Sequence, residues 1–334
     1  MIFLHHFPVN SHGLFAAGGD CGVDFFLMLS GFVMSAGYGD HAADGSLDYR
    51  SYMWRRITRL YPLHLLCLMI YLLLCGWRIG TGEYLRLVPN LMLLQSWIPV
   101  ESVYFSGDAA SWCLSDLMFF YAVFPFLAAF LHRHGKLFIS AAIAVTAAYF
   151  TLIWHIPEQW VTPIIYILPL TRLIDFVWGM LLWRAFTAIK QTQRHRKLNM
   201  FWGSATEFAA VGVTVAACIY FEEITPRLSL ASYWWIPSAI MIMVFALHDG
   251  EGGILSRLLN REAAVTFGNV SFSFYMLHLL VIIGYKLLLS LTEMEEQPWL
   301  ALPTLLAITT LLSFIVYYRV ELPVSAWLRR KFTR

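Results

Sequence analysis

Two histidines, His5 and His6, open the chain within FLHHFP. An imidazole titrates near pH ~6.5, so a small change of surroundings makes it a proton acceptor at neutral pH. Asp24 follows in GVDFFLMLSGF, a carboxylate set into a run long enough to cross a bilayer. Such groups are costly in hydrocarbon and read as functional by default. At this depth Asp24 could reach His5 and fix its tautomer, or serve as a helix-start carboxylate favoured by the macrodipole. Arg55, Arg56 and Arg59 lead into Leu60, Tyr61 and Pro62. Spacings of three and four put Arg59 on the helical face of both predecessors, and guanidinium forks match phosphate geometry. Anchoring at the cytoplasmic interface is the plainer account of any one of them. Asp116, in WCLSDLMFFYAVFP, is a second intramembrane acid. Arg172 and Asp175, three apart, are spaced for an intrahelical ion pair.

The elements that must position these groups are membrane helices. The 334 residues are 59% hydrophobic and 13% charged, against about a quarter charged in soluble domains. A span needs roughly 20 apolar residues, and such runs fall at 22–39, 61–79, 111–131, 137–155, 170–187, 204–221, 232–248, 267–290 and 299–318. Residues 1–9 read as the end of a further helix, and no cleavable signal peptide is visible. The run 85–99 is short and interrupted by Pro89, Asn90 and Gln95. If it spans, the basic loops around Arg55 and around Arg194 fall on opposite faces; if it is re-entrant or interfacial, 17 of the 23 Lys and Arg gather on one face. The expectation is an all-α integral membrane protein, one bundle of about ten helices with one re-entrant or interfacial segment and both termini cytoplasmic. Residues 1–334 form a single domain. Cys21, Cys67, Cys75, Cys113 and Cys218 are scattered and read as packing residues, with neither a metal pattern nor a disulfide framework. A net charge of +2 is too small to imply nucleic acid.

GVDFFLMLSGF followed by RRITRLYP resembles the acyltransferase family 3 integral membrane proteins, which move acyl groups onto carbohydrate hydroxyls. The likeness continues through Trp112, Ser115, Asp116 and Tyr121, with aspartate at 116 where the family has glutamate. It continues again through Arg172 and Asp175, through GNVSFSFYMLH with Tyr275 and His278, and through YRVELP with Glu321. It implies that His5 is the catalytic base, supported by Asp24 or Asp116, and that Arg55, Arg56 and Arg59 hold the phosphates of a cytosolic acyl-CoA. Trp112, Ser115, Tyr121, Arg172, Asp175, Tyr275, His278 and Glu321 would contact substrate or support the site. The family's basic residue about three turns before the histidine would precede Met1, so the resemblance implies a first helix truncated at its start. No permanently bound cofactor and no metal are expected.

The implied activity is transfer of an acyl group, acetyl in the simplest case, from acyl-CoA to a surface or lipid-linked carbohydrate in the bacterial inner membrane, with polysaccharide assembly proteins as further partners. Ser30, although followed by Gly31, lacks a nucleophile elbow and reads as a small packing residue. A glycan or lipid transporter is the alternative, with Asp24, Asp116 and Asp175 as a proton relay; a catalytically inactive scaffold is the third reading. Release of CoA separates the first from the others.

Overall fold

The computed structural model describes residues 2–7, 18–78, 80–192, 199–248, 252–293 and 295–332. These residues form an all-α assembly. The helices used below are α1 (Ile2–His6), α2 (Gly18–Asp44), α3 (Tyr49–Cys75), α4 (Thr81–Leu91), α5 (Trp112–Arg133), α6 (Gly135–His155), α7 (Pro169–Thr192), α8 (Met200–Ile219), α9 (Trp235–His248), α10 (Glu262–Thr292), α11 (Pro298–Val316) and α12 (Leu322–Phe332).

Among the described residues seven helices are long and apolar enough to cross a membrane. The bent pair Glu158–Ile167 and Pro169–Thr192 makes an eighth, and Ser232–His248 is a shorter apolar helix. The nine runs located in the sequence are therefore all helical, but the count of spans by length falls below ten. Of the expected first helix, residues 1–9, the described residues are 2–7, and five of them form α1.

The run 85–99 does not cross. Its helix, α4, has 11 residues, about 16 Å at 1.5 Å per residue, and the chain then turns through Leu93 at φ 54°. The polar residues that interrupt it hold it in place. Asn90 donates to the Ser106 carbonyl at 2.7 Å and to Ser111 Oγ at 3.0 Å, Gln95 donates to the Ser111 carbonyl at 3.0 Å, and Ser96 donates to the Trp112 carbonyl at 2.7 Å. Irregular backbone at membrane depth is tolerated where protein satisfies it in this way.

α3 starts earlier than the hydropathy suggests. Asp48 caps it by accepting from the Ser51 amide at 3.1 Å, so Arg55, Arg56 and Arg59 lie within the helix and Pro62 is internal rather than in the first turn. A helical proline has no N–H for the carbonyl four residues back. Here the freed carbonyl of Thr58 accepts from Ser325 Oγ of α12 at 2.7 Å. The same device recurs in α5, where Pro125 frees the Tyr121 carbonyl and Tyr52 Oη of α3 donates to it at 2.9 Å. Both prolines thus become tie points between helices.

The tightest crossing joins α2 to α7. A Cβ on Gly31 would fall 2.0 Å from the Phe176 carbonyl oxygen, and one on Gly179 would fall 1.9 Å from that of Met28. Small residues permit this approach without a water-driven hydrophobic term between helices. It sets the separation of the polar groups just above it.

Candidate active site

Asp24 on α2 and Arg172 and Asp175 on α7 are all buried. Arg172 Nη2 lies 3.5 Å from Asp24 Oδ1, and its Nε lies 3.0 Å from Asp175 Oδ2. Ser238 Oγ is 3.5 Å from the other Asp24 oxygen, while Trp235 Nε1 donates to Asp175. The Arg172–Asp175 pair allowed by spacing is therefore present, and a second helix joins it. The Arg172 guanidinium also sits 5.7 Å from the Tyr166 ring centroid.

His5 does not meet Asp24. Its ring rests on Gly19, where a Cβ would come within 2.7 Å of its Cδ2. Asp20 lies within electrostatic reach of His5, and Tyr166 and Arg172 are its other polar neighbours. Asp20 and Asp24 are four residues apart, on one helical face but a turn apart in depth. α1 docks on the first turn of α2 through Gly19 and Gly22, where a Cβ would strike Ile2, so His5 finds the shallower acid. GGD one turn before GVD was the available signal, and sequence reasoning passed over it. Tyr166, Trp235 and Ser238 were missed as well, because nothing local in sequence marks them.

His6 contacts His278, a side chain the resemblance singled out. His278 Nε2 and His6 Nδ1 are 3.1 Å apart, and His278 Nδ1 faces the Tyr275 carbonyl. Tyr275 Oη donates to the Ala110 carbonyl at 2.8 Å, just before Trp112. Trp112 in turn packs on Tyr166, with ring centroids 4.9 Å apart. His5 and His6 meet edge to face at 5.0 Å. Asp116 is fully buried near Arg172, with neither carboxyl oxygen hydrogen-bonded, and the Ser115 hydroxyl beside it is likewise unpartnered. The upper site therefore gathers three histidines, His5, His6 and His278, and four carboxyl groups near one guanidinium.

The three arginines lie elsewhere and do not form one fork. Tyr38, which holds Arg56, is fourteen residues beyond Asp24 on α2, about 21 Å along the axis. Arg56 donates to Tyr38 Oη at 2.5 Å and lies 4.8, 5.8 and 5.7 Å from the ring centroids of Tyr38, Tyr52 and Tyr121. Tyr121 thus belongs to this cage rather than to the histidines. Arg59 is committed to Glu321 at 2.6 Å, and Glu321 also accepts from Ser273 at 2.6 Å. Arg55 is exposed. An apolar cleft of about 520 Å³ runs between α3 and α5 from Met53 and Ile57 up to Ser115.

The bundle of membrane helices thus sets histidines over a buried Arg–Asp cluster. The chain belongs to the acyltransferase 3 family: that family's model, described as an acyltransferase domain, matches residues 1–318. Among its relatives, acyltransferase MdmB of Streptomyces mycarofaciens is 27% identical over 290 residues, covering 81% of this chain and 70% of that protein. BcsY of Komagataeibacter xylinus, whose name proposes a membrane-bound transacylase, is 27% identical over 334 residues, covering 93% of this chain and 78% of that protein. No solved structure matches the chain at a significant level.

Proposed function

We propose that this acyltransferase moves an acyl group, acetyl in the simplest case, from cytosolic acyl-CoA to a hydroxyl of a surface or lipid-linked carbohydrate, and that it sits in a bacterial inner membrane with both termini cytoplasmic. The observation that carries the reading is His5 on the first turn of α2 beside Asp20. A sugar hydroxyl is a weak nucleophile until its proton has an acceptor. His5 takes that proton as the oxygen attacks the thioester carbonyl, Asp20 stabilises the imidazolium, and CoA leaves as the thiolate.

The donor must bridge a distance. The arginines lie near one end of α3 and His5 near the other end of the bundle, so the nucleotide phosphates meet Arg55 and Arg56 while the arm reaches inward. The cleft from Met53 to Ser115 supports such a route, since its lining is apolar up to the unpartnered Ser115 hydroxyl.

The test is release of free CoA thiol from acetyl-CoA by purified protein given a surface-glycan extract. Release that needs the extract and disappears in His5→Ala is the expected result. No release from the wild-type chain with any acyl-CoA would overturn it and favour transport.

A further inference from the structure

Two of the five scattered cysteines meet. Cys21 lies in the first turn of α2, and Cys218 is two residues before Tyr220, which closes α8. They are 6% and 1% exposed, share one buried cluster with Trp234 as free thiols, and are close enough for their side chains to interact. The walls of that cluster are fixed. Phe221 stacks on Trp234 at 5.7 Å, Tyr233 Oη donates to the Ala217 carbonyl at 2.8 Å, and Trp234 Nε1 donates to the Ser229 carbonyl at 2.7 Å. Cys67 is placed differently, against the Met276 carbonyl at 3.7 Å, and Cys113 packs in the central core.

The position along the membrane normal matters as much as the contact. Both cysteines stand at helix ends on the face opposite Arg55 and Arg56, which is extracytoplasmic in the proposed orientation. Disulfides form and persist in that compartment and not in the cytosol. Nothing in the transfer reaction uses either thiol.

We propose that Cys21 and Cys218 are joined by a disulfide that fastens the first turn of α2 to the outer end of α8. The step is thiol–disulfide exchange with an extracytoplasmic protein disulfide: one cysteine thiolate attacks it, and the second displaces the mixed disulfide. One new S–S bond forms, and the oxidant's two sulfurs leave as thiols. Trp234 follows Cys218 in the chain, so exchange occurs before Trp234 closes over the sulfurs, and the finished bond is shielded from reductant. Its consequence is local. Cys21 adjoins Asp20, so the bond holds the acid that faces His5.

The inference rests on the orientation proposed above, and the experiment separates the two. The full chain is expressed in its membrane, quenched with acid, denatured, and labelled with a maleimide that adds countable mass, before and after reduction. Three labels rising to five on reduction are expected, with four in Cys21→Ser regardless of reductant. Five labels before reduction would overturn the disulfide. A C-terminal reporter fusion measured alongside assigns the cause: a cytoplasmic C-terminus with five free thiols refutes the bond alone, whereas an extracytoplasmic C-terminus refutes the orientation and the bond together.

Discussion

The Arg172 guanidinium lies 3.5 Å from the Asp24 carboxylate, and neither side chain reaches solvent. Asp20, one turn above, faces His5 instead. The two acids therefore answer differently to the same isosteric change. Asp24→Asn leaves a buried cation with one fewer counter-charge and is expected to destabilise the protein by on the order of 3 kcal/mol. Asp20→Asn keeps the size and polarity of the side chain and loses the charge near His5. It is expected to lower kcat about 10²-fold or more at nearly unchanged melting temperature. Thermal unfolding in detergent and CoA release on both variants check this; equal losses of activity and stability in both would refute the division of roles.

Much of this arrangement was legible in the sequence. Apolar runs located α2, α3 and α5 to α11, and the charge argument placed 85–99 as non-spanning, because bilayer thickness and loop charge act locally along the chain. What stayed hidden was pairing between helices. The GVD motif drew the pairing of His5 to Asp24, but the glycines at 19 and 22 let α1 settle on the turn above it. Arg55, Arg56 and Arg59 look alike in sequence, and only the partners supplied by Tyr38 on α2 and by Glu321 near the C-terminus tell them apart. The start of α3 was hidden too, since the apolar run begins only at residue 61, beside Pro62, and Ser325, which satisfies the carbonyl that this proline frees, lies far along the chain.

Those partners predict a split among the arginines. Arg55 is exposed, so Arg55→Ala is expected to raise KM for acyl-CoA severalfold at constant melting temperature. Arg59→Ala strands the Glu321 carboxylate, whose side chain is fully buried, and is expected to cost about 1–3 kcal/mol in stability. Ser325→Ala, which orphans the Thr58 carbonyl, adds a comparable loss. If Arg59→Ala changed KM alone, Arg59 would belong to the donor site.

Asp108 supplies a pH dependence outside the spans. It caps the turn before α5, accepting from the Ala110 amide at 3.3 Å, and burial pushes its carboxyl up from 3.8 to about 8. The folded protein then holds a proton that the unfolded chain releases. The resulting stability is fully present below the unfolded value and is lost as pH rises through about 8. Asp108→Asn retains the cap without the proton, so its melting temperature is expected to vary less with pH than that of the wild type. Parallel curves for the two proteins from acid to mildly alkaline pH would show that Asp108 contributes nothing to this dependence.

Asp116 presents the opposite balance. A carboxyl group with no exposure and no hydrogen bond to either oxygen is a standing cost to the fold, because burial without partners is unfavourable whichever protonation state it adopts. Arg172 offsets part of this at a distance, and it already serves Asp24 and Asp175. A group kept under such terms is best explained by a partner that arrives with substrate, and Ser115 beside it has the same unfilled capacity at the end of the apolar cleft. Asp116→Leu, close in volume and free of polar atoms, is therefore expected to raise the melting temperature while abolishing acyl transfer, the trade expected where function holds a site away from its stability optimum. Asp116→Asn keeps two hydrogen-bonding atoms and is expected to retain partial activity. A melting temperature that fell in Asp116→Leu would mean that the carboxyl is structural, and its role would then lie in holding α5 against α7 rather than in meeting the acceptor.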